Sequence, residues 1–201
     1  LVGSEMCIRD RRCRVHIHTT GAPGECDEED RARFIPPHNS RYKLLWSISL
    51  AQMREKMGNF ADALIVMGGR TKDFKGKMPG IIQEFKIALE LKKPVYIVGA
   101  TGGCASILRE CLLEKRTIDE TLQMFTIDED LKIALHERGE DVEGANFLSS
   151  LYDTGAINQL NNGLSEEDNL QLLRSTNVTE IVALILQGLM TKLNEEDNGN
   201  A

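Results

Sequence analysis

Two apolar runs each end in glycines. Ala63-Leu-Ile-Val-Met67 leads into Gly68-Gly69, and Val95-Tyr-Ile-Val98 leads into Gly99-Ala-Thr-Gly-Gly103. Short apolar runs of this kind fill buried parallel strands, and glycines placed directly after a strand let the backbone turn sharply and approach a ligand. Pro79-Gly80 then opens a helix whose first amides have no intrahelical partner and can meet an anion. Gly68, Gly69, Arg70, Thr71, Gly76, Pro79, Gly80, Gly99, Thr101, Gly102 and Gly103 are therefore candidate phosphate-binding residues. The C-terminal strand edge of an open parallel sheet is where ligands sit, and converging backbone amides make an anion cradle there. Glycines at such turns also serve packing alone, and Thr101 can act as a hydroxyl donor or as a helix cap.

Glu84 follows Gly80 by one helical turn, which brings its carboxylate to the same edge and near the sugar hydroxyls of a phosphate-anchored ligand. The alternative is a solvated helix glutamate. Arg54 ends a helix face just before the first strand and could grip a phosphate as a bidentate donor; Arg70, after the glycine pair, is a second candidate. No metal site is expected. His16 and His18 share one face of the strand Arg14 to Thr19 but no third ligand is in sight. Cys13, Cys26, Cys104 and Cys111 have neither zinc spacing nor a disulfide framework and read as reduced thiols, and no cofactor is called for.

The elements that must position these residues follow from periodicity. A polar loop over 21–39 holds Asp27-Glu-Glu-Asp30 and Pro36-Pro37. Ser40 can cap a helix through Tyr42, Leu45, Ile48, Met53 and Met57. The strand Ala61 to Met67, a loop from Gly68 to Met78, a helix from Pro79 to Leu91, the strand Val95 to Val98 and a helix from Cys104 to about Lys115 come next. This alternation predicts an α/β fold with a parallel sheet flanked by helices. Beyond Thr117 the pattern is helical: Ile118 to Met124, Glu129 to His136, Asn146 to Tyr152, Ser165 to Leu173 and Thr179 to Leu193. Ser165 with Asp168 makes an approximate capping box, and Ile181, Leu184, Ile185 and Leu189 face inward. The polar tail 194–201 is expected to be disordered.

A length of 201 residues with 41% hydrophobic content suits one domain with a helical appendage. A formal charge of −7 argues against a nucleic-acid groove, which needs a concentrated basic face. No apolar run approaches the roughly 20 residues that span a bilayer. The chain reads as a soluble cytoplasmic protein with a small-molecule partner, no nucleic acid and no membrane. Residues 1–11 resemble the translation of a transposon-end sequencing adapter, since Glu5 to Asp10 matches one of its reading frames. The natural protein is therefore expected to continue upstream of Arg12.

Ser49-Leu-Ala-Gln-Met-Arg54, Ala61 to Thr71, Gly76-Lys-Met-Pro-Gly80 with Glu84, Lys93 to Gly103, and Asn161-Asn-Gly-Leu-Ser-Glu-Glu-Asp-Asn169 together resemble the SLOG superfamily, most nearly its cluster 3. The likeness runs from about Tyr42 to Leu189. That superfamily unites the Lonely guy (LOG) phosphoribohydrolases, the Smf/DprA proteins and nucleotide-sensing modules of bacterial conflict and signalling systems, all on Rossmann-like sheets. The resemblance implies that 12–116 is the C-terminal part of a Rossmann-like SLOG domain and that 117–193 is a helical tail of the same family region. In LOG enzymes an arginine precedes an Asp-Ala strand and a Pro-Gly-Gly-x-Gly-Thr loop leads to a glutamate. Arg54 before Asp62-Ala63, and Glu84 after Pro79-Gly80, stand in similar positions and would be the catalytic pair of a hydrolase.

The departures from the LOG pattern shape the functional expectation. Thr71 to Met78 separates Gly69 from Pro79-Gly80, and no Gly-Thr precedes Glu84. The family's first strand and early glycine motif would lie upstream, leaving an uncovered sheet edge. The leading expectation is a sensor that binds a nucleotide or nucleotide-derived ligand, with the phosphate on the glycine turns and ribose hydroxyls facing Glu84. One alternative is hydrolysis of the N-glycosidic bond of nucleoside 5'-monophosphates, with Arg54 fixing the phosphate. The other is a non-binding scaffold that assembles through the helical tail, and a homo-oligomer is compatible with each.

Overall fold

The computed structural model describes residues 40–139 and 144–199. The expected strand over 14–19, the loop over 21–39, the first eleven residues, and His16, His18, Cys13 and Cys26 lie outside these. Helix α1 (Ser40–Phe60) leads to β1 (Leu64–Met67), then β2 (Lys72–Phe74), α2 (Gly80–Glu90) and β3 (Val95–Val98). A 3-10 turn (Gly99–Thr101), α3 (Gly103–Leu113), α4 (Ile118–Gln123), β4 (Thr126–Ile127) and α5 (Glu129–His136) follow. The chain closes with α6 (Ala145–Ser150), a second 3-10 turn (Ala156–Gln159), α7 (Glu166–Arg174) and α8 (Val178–Gly199). The fold is α/β: short parallel sheets flanked by helices, with a C-terminal helix.

β1 and β3 pair in parallel, Leu64 opposite Val95 through Met67 opposite Val98. All four β3 residues are buried because both faces of the strand are covered. Val95 and Ile97 enter the main core with Ile82 and Phe85 of α2, Leu108 and Cys111 of α3, and Leu148 of α6. Tyr96 and Val98 point the other way, against Leu172 of α7 and Leu184 of α8. The alternation is the period of two that a strand imposes. On β1, Val66 is buried whereas Ile65 and Met67, on the Tyr96 face, are exposed. Among the described residues β1 bonds to no strand but β3, which leaves its other edge open.

The second edge of β3 is sealed by the segment that carries the Asn161–Asn169 motif. Val95 N donates to Leu160 O at 2.9 Å, and Asn162 Nδ2 donates to Val95 O at 2.7 Å. Asn162 and Asn169, both buried, exchange amide bonds of 2.8 and 3.3 Å. Tyr96 Oη donates to Asn162 O at 2.8 Å, and burial pushes the phenol up to about 12. Ser165 accepts from Asp168 N and so caps α7, as its spacing predicts. The buried amides of this motif are architecture: Asn162 replaces a ladder partner of β3, and Asn162 and Asn169 satisfy each other.

Two expectations need correction. The stretch from Gly68 to Met78 is not all loop, because β2 pairs in parallel with β4, Lys72 opposite Thr126 and Phe74 opposite Ile127. Three residues are too few for periodicity to register, and the partner is far along the chain. Phe74, buried, packs edge-on against Phe125 at 5.8 Å and holds the pair. The last helix also passes Leu193 and continues to Gly199, through most of the tail expected to be disordered. Extending an existing helix adds a hydrogen bond per residue without a new nucleation cost, so polar residues can follow it.

Candidate functional site

Gly69, at the end of β1, is where two helix starts meet. A Cβ placed on it would lie 2.8 Å from Ile81 Cγ1 of α2 and 2.9 Å from Cys104 Cβ of α3, so no larger residue fits. Gly103 makes an even closer approach: its φ is +56°, and a Cβ there would meet Gly69 O at 2.1 Å. The two glycine-ended strands are thus locked turn against turn.

That locking uses several groups the sequence marks as ligand donors. Cys104 N and Ala105 N donate to Gly69 O and Gly68 O at 3.2 and 2.8 Å. Thr101 Oγ1 accepts from Gly68 N at 2.8 Å and donates to Val98 O at 2.6 Å, so its hydroxyl staples one turn to the other. Cys104 Sγ donates to Arg70 O at 3.1 Å. Gly99 packs against Leu173 O and the Arg109 side chain. Thr71 O accepts from Thr126 N at 2.9 Å and anchors β4. These residues shape the edge. The start of α2 is different: Pro79 at its N-cap has no side chain to offer, and the helix begins without a capping bond. The positive end of a helix beside an exposed glycine turn suits an anion.

Behind that start lies the charged pair. Arg54, from the last turns of α1, is only 5% exposed, and its Nη1 donates to Gln83 Oε1 at 2.8 Å. Its Nε stands 3.5 Å from Glu84 Oε1. Gly76 lies beside the guanidinium: a Cβ there would sit at ordinary contact distance, 3.5 Å, from Arg54 Nη1, with Met78 O closer at 3.2 Å. Glu84 has a side chain 12% exposed, so it is not a solvated helix glutamate. Burial raises its pKa despite the opposing charge of Arg54. The Cys104 thiol is pushed up to about 12, mainly by burial and further by the charge of Glu84.

The structure therefore brings Arg54 to Glu84 and Gly76, while Gly69 meets Ile81 of the helix that Pro79 and Gly80 open. Gly68, Thr101 and Gly103 form the staple beside them, with Gly102 at the start of α3 and Arg70 exposed on the exit from β1. Gln83 was not legible as a participant. The usable signal is chemical: a buried guanidinium has five donors and needs more than one acceptor, and the residue beside Glu84 on α2 can supply the second.

Among the described residues there is no group of three or more His, Cys, Asp or Glu able to hold a metal ion. None of their helices is long and apolar enough to cross a membrane.

No curated protein and no solved structure matches the chain. A family model does: SLOG cluster 2, over residues 8–172. The superfamily is the one the motifs resemble, while the cluster is 2 and not the expected 3. Its members' likeness points to a nucleotide-related role, and both Arg54 and Glu84 fall within the matched range. The chain belongs to the SLOG superfamily, in its cluster 2.

Proposed function

We propose that this chain is a binding module for a nucleotide or nucleotide-derived ligand, working as a cytoplasmic sensor in bacterial signalling or conflict. The observation that carries the reading is the meeting of the uncapped α2 start with Gly69, with the buried Arg54–Glu84 pair directly behind. Phosphate oxygens sit at the α2 amides and the Gly69 turn, with Arg70 at the rim. Ribose hydroxyls donate to Glu84, adding partners to the one that Arg54 supplies. The charge of Arg54 opposes the rise that burial imposes on that carboxyl.

The raised pKa of Glu84 favours one second reading, hydrolysis of an N-glycosidic bond. A carboxyl protonated nearer neutrality can give a proton to a departing base, and in its ionised form it can stabilise an oxocarbenium-like ribose. Arg54 then positions the carboxylate, and Gln83 fixes Arg54. The absence of Gly-Thr before Glu84 weighs toward binding without turnover.

Calorimetric titration with AMP, ADP-ribose and cyclic ADP-ribose isomers tests the proposal, with chromatography following free base. Binding without release is the expected result. Release of base and ribose 5-phosphate that disappears in Glu84→Gln would make the chain a hydrolase, and no binding of any of these nucleotides would overturn the sensor reading.

A further inference from the structure

Helix α8 is apolar on two faces, and only one of them is accounted for. Leu184 is buried against Tyr96 and Leu172, with Ile181, Ile185 and Leu189 packed around them. The opposite face carries Val178, Val182, Leu186, Met190 and Leu193, exposed by 48 to 72%. Successive spacings of four, four, four and three keep these five side chains on one stripe. The other exposed positions from Val178 to Asn194 are Thr179, Ala183, Gln187 and Asn194. None of the exposed residues over this span is charged, in a chain that is 27% charged and carries a net −7. Single exposed apolar residues are ordinary, but a contiguous stripe of this kind marks an interaction surface.

We propose that this face pairs with the same face of a second copy, the two α8 helices crossing antiparallel about a two-fold axis at Leu186. Three features favour a second copy as the occupant. In an isologous contact residue i meets j and j meets i, so a charge near the axis would meet its own copy; a face without charge avoids that repulsion and lets two strongly acidic chains associate. The stripe is also symmetric about its middle: an antiparallel pairing centred on Leu186 sets Val182 opposite Met190 and Val178 opposite Leu193 and Asn194. Finally, the same pairing carries exposed Glu195 of each copy toward the start of the other's α8, where the helix dipole is positive and Asn177 caps the first amides. A membrane surface fits less well, because an interfacial helix presents Lys and Arg beside its apolar stripe, and the only basic residue on α8 is Lys192, half-buried and bonded to Asn161 and Glu195. α8 lies beyond the residues matched by the family model.

The test is the mass of the full chain in solution, by sedimentation velocity and light scattering at micromolar concentration. Wild type should be a dimer with or without nucleotide. Leu186→Glu and Leu186→Lys should each be monomeric with unchanged helical circular dichroism, the like charges at the axis weakening association by roughly a hundredfold or more. Mixing the two variants should restore a dimer, since the axis then joins Glu to Lys. A monomeric wild type, including one whose stripe is covered by residues 1–39, overturns the proposal. So does a dimer indifferent to both charges, or a mixture that stays monomeric.

Discussion

Two buried polar clusters, one sealing the edge of β3 and one joining α1 to α2, are built to different standards. In the Asn162–Asn169 cluster the groups are neutral and reciprocated: both amides donate and accept, and Val95, Leu164 and Tyr96 are bonded to Asn162 at 2.7 to 3.1 Å. In the Arg54–Gln83–Glu84 cluster two of the three groups are charged, the ion pair is long at 3.5 Å, and burial works against the ionised Glu84. A satisfied neutral network specifies a fold. A buried charge pair with imperfect geometry contributes little net stability, because desolvation offsets the attraction. On the proposed reading, the first cluster serves architecture and the second is held for a ligand, and the difference is a neutral reciprocated network against a buried charge pair.

The comparison can be sharpened by breaking each cluster in turn. The largest effect is expected for Arg54→Ala, which leaves Glu84 buried without its cation and should cost about 3–5 kcal/mol in urea denaturation at neutral pH. Asn162→Ala should follow at about 2–3 kcal/mol, since it orphans Val95 O and Asn169 Oδ1. Nucleotide affinity should survive that change wherever the protein remains folded.

Glu84→Gln probes the site through pH. The folded-state pKa of Glu84 lies above its ordinary value of 4.5, so between the two values the folded state binds more protons than the unfolded state. Wild-type stability should therefore fall as pH rises from 4.5 through the folded pKa. That fall should be absent from Glu84→Gln when melts are compared across the window, and a matching decline in the variant would mean that other groups cause it. The smallest effect belongs to Asp128, outside both clusters. It caps α5 through Asp130 N and Leu131 N, and Asp128→Ala should cost about 1 kcal/mol with unchanged ligand binding.

The sequence was most legible where local rules dominate. The strand Val95–Val98 and the helix Glu129–His136 fall where their periodicity places them. The inward residues of α8 are also those expected, because one helical face must meet the core. Arg54 and Glu84 could be nominated because of a family resemblance and because Gly80 precedes Glu84 by one turn. What the sequence hid depends on distant partners. β2 is held by β4, Gln83 is recruited by a helix from before β1, and Thr101 bonds to Gly68 across the gap between strands. The glycine turns were recognisable as close approaches, but which atoms approach them is set by tertiary packing: at Gly103 the neighbour is Gly69 O and not open space for a phosphate.

The most direct test replaces the charged pair altogether. In the double variant Arg54→Met/Glu84→Leu, denaturant unfolding and calorimetric titration with AMP and ADP-ribose are measured beside wild type. If the pair is kept for a ligand, stability should stay within about 1 kcal/mol of wild type or rise, while nucleotide binding is lost. A loss of several kcal/mol would make the pair architectural like Asn162–Asn169, and nucleotide binding at wild-type affinity would remove it from the site.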